Sequence, residues 1–291
     1  MVFNAKHTDN RPSRDQFWEE LVAMKTIDLS PRIGSEILTD VETLLSGELS
    51  GEIRSLLERR GVIAIRELNF TDEQQVAFTA TLGTVVKEGN GNVTKITMDP
   101  TENDKAGYLR GAFFWHIDGT MQSVPVLASI MSARRLSAVG GDTEFCNTYA
   151  AYDDLPDQEK AALDQVKVVH ALEATQRYVY PEPSLEMLEG WHRYADNELP
   201  LVWKHRSGRK SLVIGSTASH VVGMDRRASA ALLCRLREWA TQPQFVYRHH
   251  WKIGDLVIWD NTGTMHRALE YPLDSGRMMH RTKLQGEEAF A

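Results

Sequence analysis

The sequence contains little cysteine, no long apolar run and no excess of basic residues, and each shortage excludes a class of protein. Only two cysteines, Cys146 and Cys234, occur among its 291 residues. They are too few for a disulfide framework, and they follow no metal-ligand spacing. No apolar stretch is long enough to span a bilayer, and the first residues lack the apolar core of a signal peptide. We therefore expect a reduced, cytoplasmic protein that does not contact a membrane.

The balance of charge argues against a polyanionic partner. The 33 lysines and arginines are outnumbered by 40 aspartates and glutamates, which gives a net charge of −7 with neutral histidines. This composition predicts no basic face for nucleic acid. An anionic small molecule would have to be bound by a few local arginines, against the field of the whole protein.

The pattern of apolar residues predicts a mainly β fold with flanking helices, a jelly roll (double-stranded β-helix), in one domain over residues 1–291. Hydrophobic residues make up 42% of the chain, which is enough for a sizeable core. Helical spacing predicts helices over 16–24, 49–59, 71–82, 148–165 (interrupted at Pro156) and 225–241. Alternating or β-branched segments predict strands over 26–38, 61–66, 92–98, 126–136, 140–147 (after a glycine turn), 166–172, 201–204, 211–215, 245–251, 255–260, 265–270 and 278–284.

Two segments show no clear period. Residues 84–112 are rich in Gly, Asn, Asp and Thr, and we expect a lid-like loop there, because long ordered loops beside a site are often functional. Residues 173–200 are rich in aromatic residues and proline, and we expect an insertion there.

Residues 113–120 (FFWHIDGT) place His116 and Asp118 two positions apart in an apolar, aromatic stretch. We expect a strand or strand end, in which residues two apart project to the same side. An imidazole and a carboxylate that converge form two-thirds of a facial metal triad. The pattern His-x-Asp is weak evidence alone, since most instances have no ligand role.

A second histidine that could complete the triad lies on a C-terminal strand. His266 follows residues 254–261 (GDLVIWDN), and we expect Asp260 and Asn261 to build the turn that presents it. Two neutral imidazoles and one carboxylate suit divalent iron and leave three coordination positions open. Zinc tolerates the same ligands, so the ligand types alone do not choose the metal.

Two arginines on the last strand indicate anionic ligands. Arg277 and Arg281 are four residues apart, so both side chains can point to one face of a strand. The guanidinium group is suited to bidentate binding of a carboxylate. Two such groups near a metal site suggest two anionic ligands.

Taken together, segments spread over about residues 30–285 resemble the taurine dioxygenase/2,4-dichlorophenoxyacetate dioxygenase (TauD/TfdA) family of iron(II)- and 2-oxoglutarate-dependent oxygenases. The segments are 116–118 (HID), 140–145 (GGDTEF), 254–261 (GDLVIWDN), His266–Arg267, Arg277 and Arg281. Further segments are similar to the phenoxyacetate branch in particular: 150–153 (AAYD), 207–210 (SGRK), 218–221 (ASHV) and 240–249 (ATQPQFVYRH).

The resemblance implies a role for several residues. His116, Asp118 and His266 would bind Fe(II), and Arg277, assisted by Thr143, would hold the distal carboxylate of 2-oxoglutarate. Arg281 would hold the acidic group of the primary substrate. For Thr143 a purely structural role on its strand is equally compatible with the sequence.

Two further residues are weaker substrate-binding candidates. The likeness of residues 218–221 suggests a pocket role for His220, with a structural histidine as the alternative. Lys95, in the lid-like loop, could attract an anionic substrate or could simply be solvated.

The function implied is an oxygenase that uses Fe(II), 2-oxoglutarate and O2 to hydroxylate a small organic acid next to its anionic group. With an aryloxyalkanoate, this reaction cleaves the ether to a phenol and an oxo acid. The alternatives within the family are a sulfonate or alkyl sulfate dioxygenase and a hydroxylase for a natural-product acid. Outside it, the alternatives are a metal-binding jelly-roll protein without oxygenase activity and, more weakly, a zinc hydrolase. Families of this kind also suggest a homo-oligomer.

Overall fold

The computed structural model describes residues 24–88, 91–103 and 106–291. The helix predicted over 16–24 lies, apart from Met24, outside the described residues. The strands are β1 Lys25–Asp28, β2 Ser35–Leu38, β3 Val62–Ile65, β4 Thr94–Ile96, β5 Ala128–Arg135, β6 Thr143–Asn147, β7 Lys167–His170, β8 Asn197–Pro200, β9 Val202–Lys204, β10 Lys210–Leu212, β11 Ala218–Val221, β12 Val246–His249, β13 Leu256–Asp260, β14 Thr264–Ala268 and β15 Met278–Leu284. The helices are α1 Val41–Ser46, α2 Ser50–Arg60, α3 Asp72–Leu82, α4 Ala106–Leu109, α5 Thr148–Asp153, α6 Asp157–Leu163, α7 Leu172–Val179, α8 Leu185–Trp191 and α9 Arg226–Ala240, with 3₁₀ turns at Arg110–Phe113 and Pro243–Phe245.

Two sheets face each other across a buried core. The larger sheet has the strand order β1-β2-β3-β13-β5-β15-β4 and is antiparallel except between β2 and β3. The smaller sheet has the order β12-β6-β14. Their facing side chains form one apolar cluster, which includes Val62, Ala64, Met131, Val257, Trp259 and Met279 from the larger sheet and Phe145 and Tyr247 from the smaller one. The fold is therefore mainly sheet with helices, as predicted.

The central strand β13 shows why the larger sheet is buried on both sides. All five of its residues are buried, so the strand reads as a continuous apolar run rather than an alternating one. Val257 and Trp259 point to the core between the sheets, whereas Leu256 and Ile258 point to the opposite face. Helices α2 and α3 cover that opposite face with Ile53, Leu57 and Phe78 among others.

The helix predicted over 71–82 is present as α3, and its start has a clear local cause. The Thr71 hydroxyl accepts a hydrogen bond from the Gln74 backbone N–H (3.2 Å), and the Gln74 side chain accepts one from the Thr71 backbone N–H (2.9 Å). This reciprocal capping box satisfies two donors that the first helical turn leaves unpaired. The helix predicted over 49–59 is likewise present as α2.

Residues 173–200, predicted as an insertion without a clear period, contain two helices and a strand. Helix α7 covers 172–179, helix α8 covers 185–191, and β8 pairs with β7 in the sheet β11-β7-β8. The Ser184 hydroxyl caps α8 by accepting from the Met187 backbone N–H at 3.2 Å. Prolines and aromatic residues around the two short helices obscure their period, but Ser184 was a readable start signal.

The segment predicted as a lid-like loop is described over 84–88, 91–103 and 106–112. It contains β4, which lies at the edge of the larger sheet beside β15, and the short helix α4. In the described part of the chain, no helix combines the length and apolarity needed to cross a bilayer.

Candidate active site

His116 and Asp118 converge, but not because they share a strand as predicted. Only His116 pairs with a neighbouring strand, in an isolated bridge to His266, and Asp118 lies in the turn that follows. The turn depends on Gly119, whose φ is +87° and whose added Cβ would lie 3.1 Å from Pro125. Of the predicted strand or strand end over 113–120, strand pairing is present only at His116, and a turn then brings the carboxylate back beside the imidazole.

His266 lies on β14, and the backbone fixes its position relative to His116. The His116 N–H donates to the His266 carbonyl oxygen at 3.0 Å, and the His266 N–H donates to the His116 carbonyl oxygen at 2.9 Å. The two rings lie 4.2 Å apart between centroids, and the Trp259 ring packs against His266 at 4.8 Å. The separation of the two histidines is thus set by a pair of ladder hydrogen bonds.

The three side chains form a donor set that fits a divalent iron ion. One ligand atom from each of His116, Asp118 and His266 lies within 4.8 Å of the others. His116 Nδ1 hydrogen-bonds to the Phe114 carbonyl oxygen at 2.8 Å, which makes Nδ1 the protonated nitrogen and leaves the lone pair on Nε2. Nε2 faces Asp118 Oδ1 at 3.8 Å. Two imidazoles and one carboxylate match the facial triad of non-haem iron enzymes.

The electrostatics keep these groups in the forms that bind a metal. Burial, together with the neighbouring His116, lowers the pKa of His266 well below its usual range, so its imidazole is neutral. Burial alone would raise the pKa of Asp118, but Arg281, His266, Lys283 and His116 together outweigh it and keep this pKa far below the usual range. A neutral imidazole and an ionised carboxylate both have lone pairs for a cation.

Arg277 and Thr143 line the cavity into which the triad faces. Arg277 is 3% exposed, its Nη2 donates to the Gly141 carbonyl oxygen at 3.0 Å, and its guanidinium lies 4.8 Å from the Tyr271 ring centroid. Within the described residues, Arg277 has no carboxylate partner and its Nε has no hydrogen-bond acceptor. A buried guanidinium without a counter-charge indicates a site for an anion.

Arg281 contacts the triad directly. It lies on β15 opposite Met131 of β5, and its Nη1 donates to Asp118 Oδ2 at 3.1 Å. Lys283, two residues further along β15, pairs with Glu88 at 2.6 Å. Two basic side chains therefore lie beside the triad, and each of them is paired with a carboxylate.

The triad, both arginines and Thr143 line one cavity of about 230 Å³. Apolar side chains dominate the rest of its wall, together with a few uncharged polar ones. They are Ile96, Met98, Tyr108, Leu109, Ala112, Phe113, Met131, Leu172, Thr175, Gln176, Thr217, Trp259, Ala268 and Tyr271, with Gly111 completing the wall. Several of them come from the segment 84–112.

The structure does not bring Lys95 or His220 to this cavity. The Lys95 side chain is 46% exposed and pairs with Glu102 at 2.5 Å, whereas the next residue, Ile96, lines the cavity. His220 is exposed on β11, where its Nδ1 lies 3.2 Å from the Ser219 hydroxyl. Strand alternation directs Lys95 away from the cavity that Ile96 faces.

The two residues predicted to present His266 bond differently. Asp260 builds the turn before His266 as predicted, since its Oδ1 accepts from the Thr262 N–H (2.8 Å) and hydroxyl (2.6 Å). Asn261 lies in that turn as predicted, but its side chain hydrogen-bonds to Ser129 and Trp259 rather than to the local backbone. No local signal marks Ser129 or Gln176, which reach the site only through the tertiary fold.

Comparison with known proteins identifies the family. The model of the family described as taurine catabolism dioxygenase TauD, TfdA family, matches residues 25–283. The chain belongs to the TauD/TfdA family. This result confirms the resemblance seen in the sequence motifs.

Relatives within the TauD/TfdA family cover most of the chain. The 2,4-dichlorophenoxyacetate dioxygenase of Burkholderia sp. (strain RASC), described as α-ketoglutarate-dependent, is 33% identical over 83% of this chain and 89% of its own length. An alkylsulfatase of Acinetobacter baylyi is 32% identical over 89% of this chain and 84% of its own. The crystal structure of AAD-2 in complex with Mn(II) and N-oxalylglycine superposes with a TM-score of 0.80 at 30% identity, covering 93% of this chain and 100% of AAD-2.

Proposed function

We propose that this Fe(II)- and 2-oxoglutarate-dependent dioxygenase hydroxylates a small organic acid at the carbon next to its anionic group. The observation that carries the proposal is the placement of two guanidinium groups, Arg277 and Arg281, around one His-Asp-His centre. One of them, Arg277, is buried without a carboxylate partner among the described residues, and the other lies against the centre itself. Two cations around one metal site suit two anions, the co-substrate and the substrate.

The chain's own residues would place the reactants. His116, Asp118 and His266 would hold Fe(II), which would supply the oxidising chemistry with 2-oxoglutarate and O2; one oxygen atom of O2 would go to succinate as carbon dioxide is lost, and the other to the substrate. Arg277 would neutralise the distal carboxylate of 2-oxoglutarate, and Arg281 would hold the substrate's anionic group. A substrate carbon adjacent to that group would then lie next to the metal.

Thr143 supports the co-substrate assignment through its hydrogen bonding. Its Oγ1 accepts a hydrogen bond from Trp251 Nε1 at 2.9 Å, and both side chains are buried. Because an indole nitrogen can only donate, the hydroxyl proton of Thr143 stays available for an acceptor in the cavity. A carboxylate oxygen of 2-oxoglutarate would be that acceptor.

The size and lining of the cavity favour a compact, partly apolar substrate. Its volume of about 230 Å³ lies below the range of roughly 300–1,000 Å³ that is typical of small-molecule sites, and co-substrate and substrate must share it. The apolar wall suits an aryloxyalkanoate, whose hydroxylated product is a hemiacetal that collapses to a phenol and an oxo acid. The relatives named for 2,4-dichlorophenoxyacetate and (S)-phenoxypropionate support this substrate class.

A sulfate ester or sulfonate is the second candidate substrate. The alkylsulfatase and the sulfate ester dioxygenase are 32% and 30% identical to this chain, close to the 33% of the phenoxyacetate enzyme. A natural-product acid is a third candidate, because pentalenolactone F synthase matches 57% of the chain at 30% identity. A single guanidinium binds any of these anionic groups, so Arg281 does not distinguish them.

The test is substrate-dependent formation of succinate. The panel contains an aryloxyacetate, an alkyl sulfate, an alkanesulfonate and the neutral alcohol that matches the aryloxyacetate, each with and without Arg281→Met. We expect one acid class to dominate and the neutral alcohol to react at least 10-fold more slowly, a difference that Arg281→Met removes. Equal turnover of acid and alcohol would contradict the role given to Arg281.

An anaerobic titration separates this function from a metal-binding protein without oxygenase activity or a zinc hydrolase. Metal-stripped protein is titrated with Fe(II) and 2-oxoglutarate, and the weak visible charge-transfer band of the chelate is recorded. The oxygenase forms the band, and His266→Ala abolishes it. Iron binding without a band would favour the other two classes.

Further proposals concern the fold and setting of the protein. We propose that the two facing sheets form a double-stranded β-helix, that residues 1–291 fold as one domain, and that residues 84–112 close over the cavity. We also propose a cytoplasmic homo-oligomer that binds neither nucleic acid nor membranes. Light scattering after gel filtration tests the oligomer, with a monomer mass as the contradicting result. The roles predicted from the sequence for Lys95 and His220 have no support from their placement.

A further inference from the structure

The two oxygens of the Asp118 carboxylate have different surroundings. Oδ1 faces His116 Nε2 at 3.8 Å, within the donor set. Oδ2 accepts hydrogen bonds from Arg281 Nη1 at 3.1 Å and from the Ser129 hydroxyl at 3.3 Å. One oxygen is therefore free for a metal, and the other is occupied by two donors.

The Ser129 hydroxyl is held by a chain of buried hydrogen bonds. Trp259 Nε1 donates to Asn261 Oδ1 at 2.9 Å, and Asn261 Nδ2 donates to Ser129 Oγ at 3.1 Å. All three side chains are at most 1% exposed. Ser129 and Trp259 are also directly paired residues of the adjacent strands β5 and β13, so the backbone sets their separation.

The direction of this chain is fixed at its start. An indole N–H can only donate, so the amide oxygen of Asn261 must face Trp259 and its NH₂ group must face Ser129. Ser129 Oγ therefore accepts from Asn261, and its own proton points to Asp118 Oδ2. The chain ends with a donor aimed at one oxygen of the metal ligand.

We propose that Ser129 and Asn261 are positioning residues that keep Asp118 bound to iron through one oxygen only. A facial triad leaves three coordination positions for a chelating co-substrate and O2. It does so only while its carboxylate binds the metal through one of its two oxygen atoms. Without the donor from Ser129, Oδ2 is held by Arg281 alone, and Arg281 is also the group proposed to bind the substrate. The second oxygen could then turn to the metal and take a position that 2-oxoglutarate needs.

This inference rests on the proposed iron site. It predicts that loss of the Ser129 hydroxyl weakens the binding of 2-oxoglutarate but not the binding of Fe(II). In Ser129→Ala, the affinity for Fe(II) should stay within about 3-fold of the wild type. The affinity of the Fe(II)-loaded protein for 2-oxoglutarate should fall roughly 10- to 100-fold, because the loss of a group that orients a metal ligand, which typically lowers metal affinity or activity by this factor, would here act on the position that 2-oxoglutarate needs. Ser129→Thr, which keeps the hydroxyl, should restore 2-oxoglutarate binding at least in part, and Asn261→Ala should weaken it in the same direction as Ser129→Ala.

The experiment is an anaerobic titration that follows Fe(II) binding by competition with a chromophoric chelator and 2-oxoglutarate binding by the charge-transfer band. The inference is overturned if Ser129→Ala binds both ligands like the wild type. It is also overturned if both affinities fall in parallel with thermal stability, which would indicate a merely structural residue. A wild-type protein that binds iron but forms no band would overturn the proposed function itself.

Discussion

Replacing Arg277 by methionine should separate the stability of the protein from its response to 2-oxoglutarate. Arg277 is buried, donates to the Gly141 carbonyl oxygen and has no carboxylate partner among the described residues. Replacing a buried ion pair by apolar side chains of similar volume is often neutral or stabilising by about 1–4 kcal/mol, because desolvation of the charges is costly, and a buried charge without an ion-pair partner bears the same cost. We therefore expect the free energy of unfolding without co-substrate to stay the same or to rise in Arg277→Met.

The stabilisation that 2-oxoglutarate gives the protein on binding should, by contrast, decrease strongly in Arg277→Met. Truncating one partner of a buried charge pair costs about 2–5 kcal/mol, which corresponds to roughly 30- to 4,000-fold in the dissociation constant of 2-oxoglutarate. At 100 times its dissociation constant, the ligand stabilises the wild type by about 2.7 kcal/mol. In Arg277→Met the same concentration should stabilise the protein by only about 0–0.9 kcal/mol.

The assay is urea unfolding of the Fe(II)-loaded protein without oxygen, with and without 2-oxoglutarate. Arg134→Met is the matched control, because Arg134 is a partly buried arginine outside the cavity that pairs with Asp72 at 2.8 Å. The control should lose about 0–1 kcal/mol and keep the full response to 2-oxoglutarate. A large loss of stability in Arg277→Met together with an intact response would refute the reasoning.

Two further predictions concern a close backbone approach and the dependence of stability on pH. Gly141→Ala should raise the KM for 2-oxoglutarate at least 10-fold, because its Cβ would lie 2.9 Å from Arg277 Nε, whereas Gly208→Ala, at the same φ of +84° but in open space, should leave it unchanged. Burial lowers the pKa values of His170 and His205 to about 4, so the unfolded chain binds protons first as the pH falls below about 6.5. The free energy of unfolding therefore does not depend on these two histidines above about pH 6.5. It falls towards pH 4, by at most about 3 kcal/mol for each histidine. Urea midpoints at pH 7.5 and 4.5 should therefore differ less in His205→Gln than in the wild type, and an equal difference would contradict this assignment.

The sequence predicted most of what depends on local signals. The capping residues at Thr71 and Gln74 predicted the start of α3, and the apolar run at 255–260 predicted β13. The four-residue spacing of Arg277, directly before β15, and Arg281, on it, likewise indicated anionic ligands. Each of these features involves residues that are close together in the chain. A single sequence is therefore enough to predict them.

What the sequence did not predict depends on contacts between distant segments. His116 and Asp118 appeared to share a strand, but the residues around them pair with β14 only at His116, and the rest is a turn. The Asn261 side chain appeared to be part of a local turn, whereas its partner Ser129 is 132 positions away in the chain. Side chains of this type bond equally well to a local backbone or to a distant group, and only the fold decides between them.

The pair of backbone hydrogen bonds between His116 and His266 affects how the protein loses and rebinds its metal. Many small metal sites exist only when the ion gathers their ligands, so removal of the ion unfolds the chain. Here two of the three ligands are neighbours because their backbones hydrogen-bond to each other. Iron loss should therefore leave an empty but preformed receptor, and reloading should be limited by diffusion and desolvation of the ion rather than by refolding.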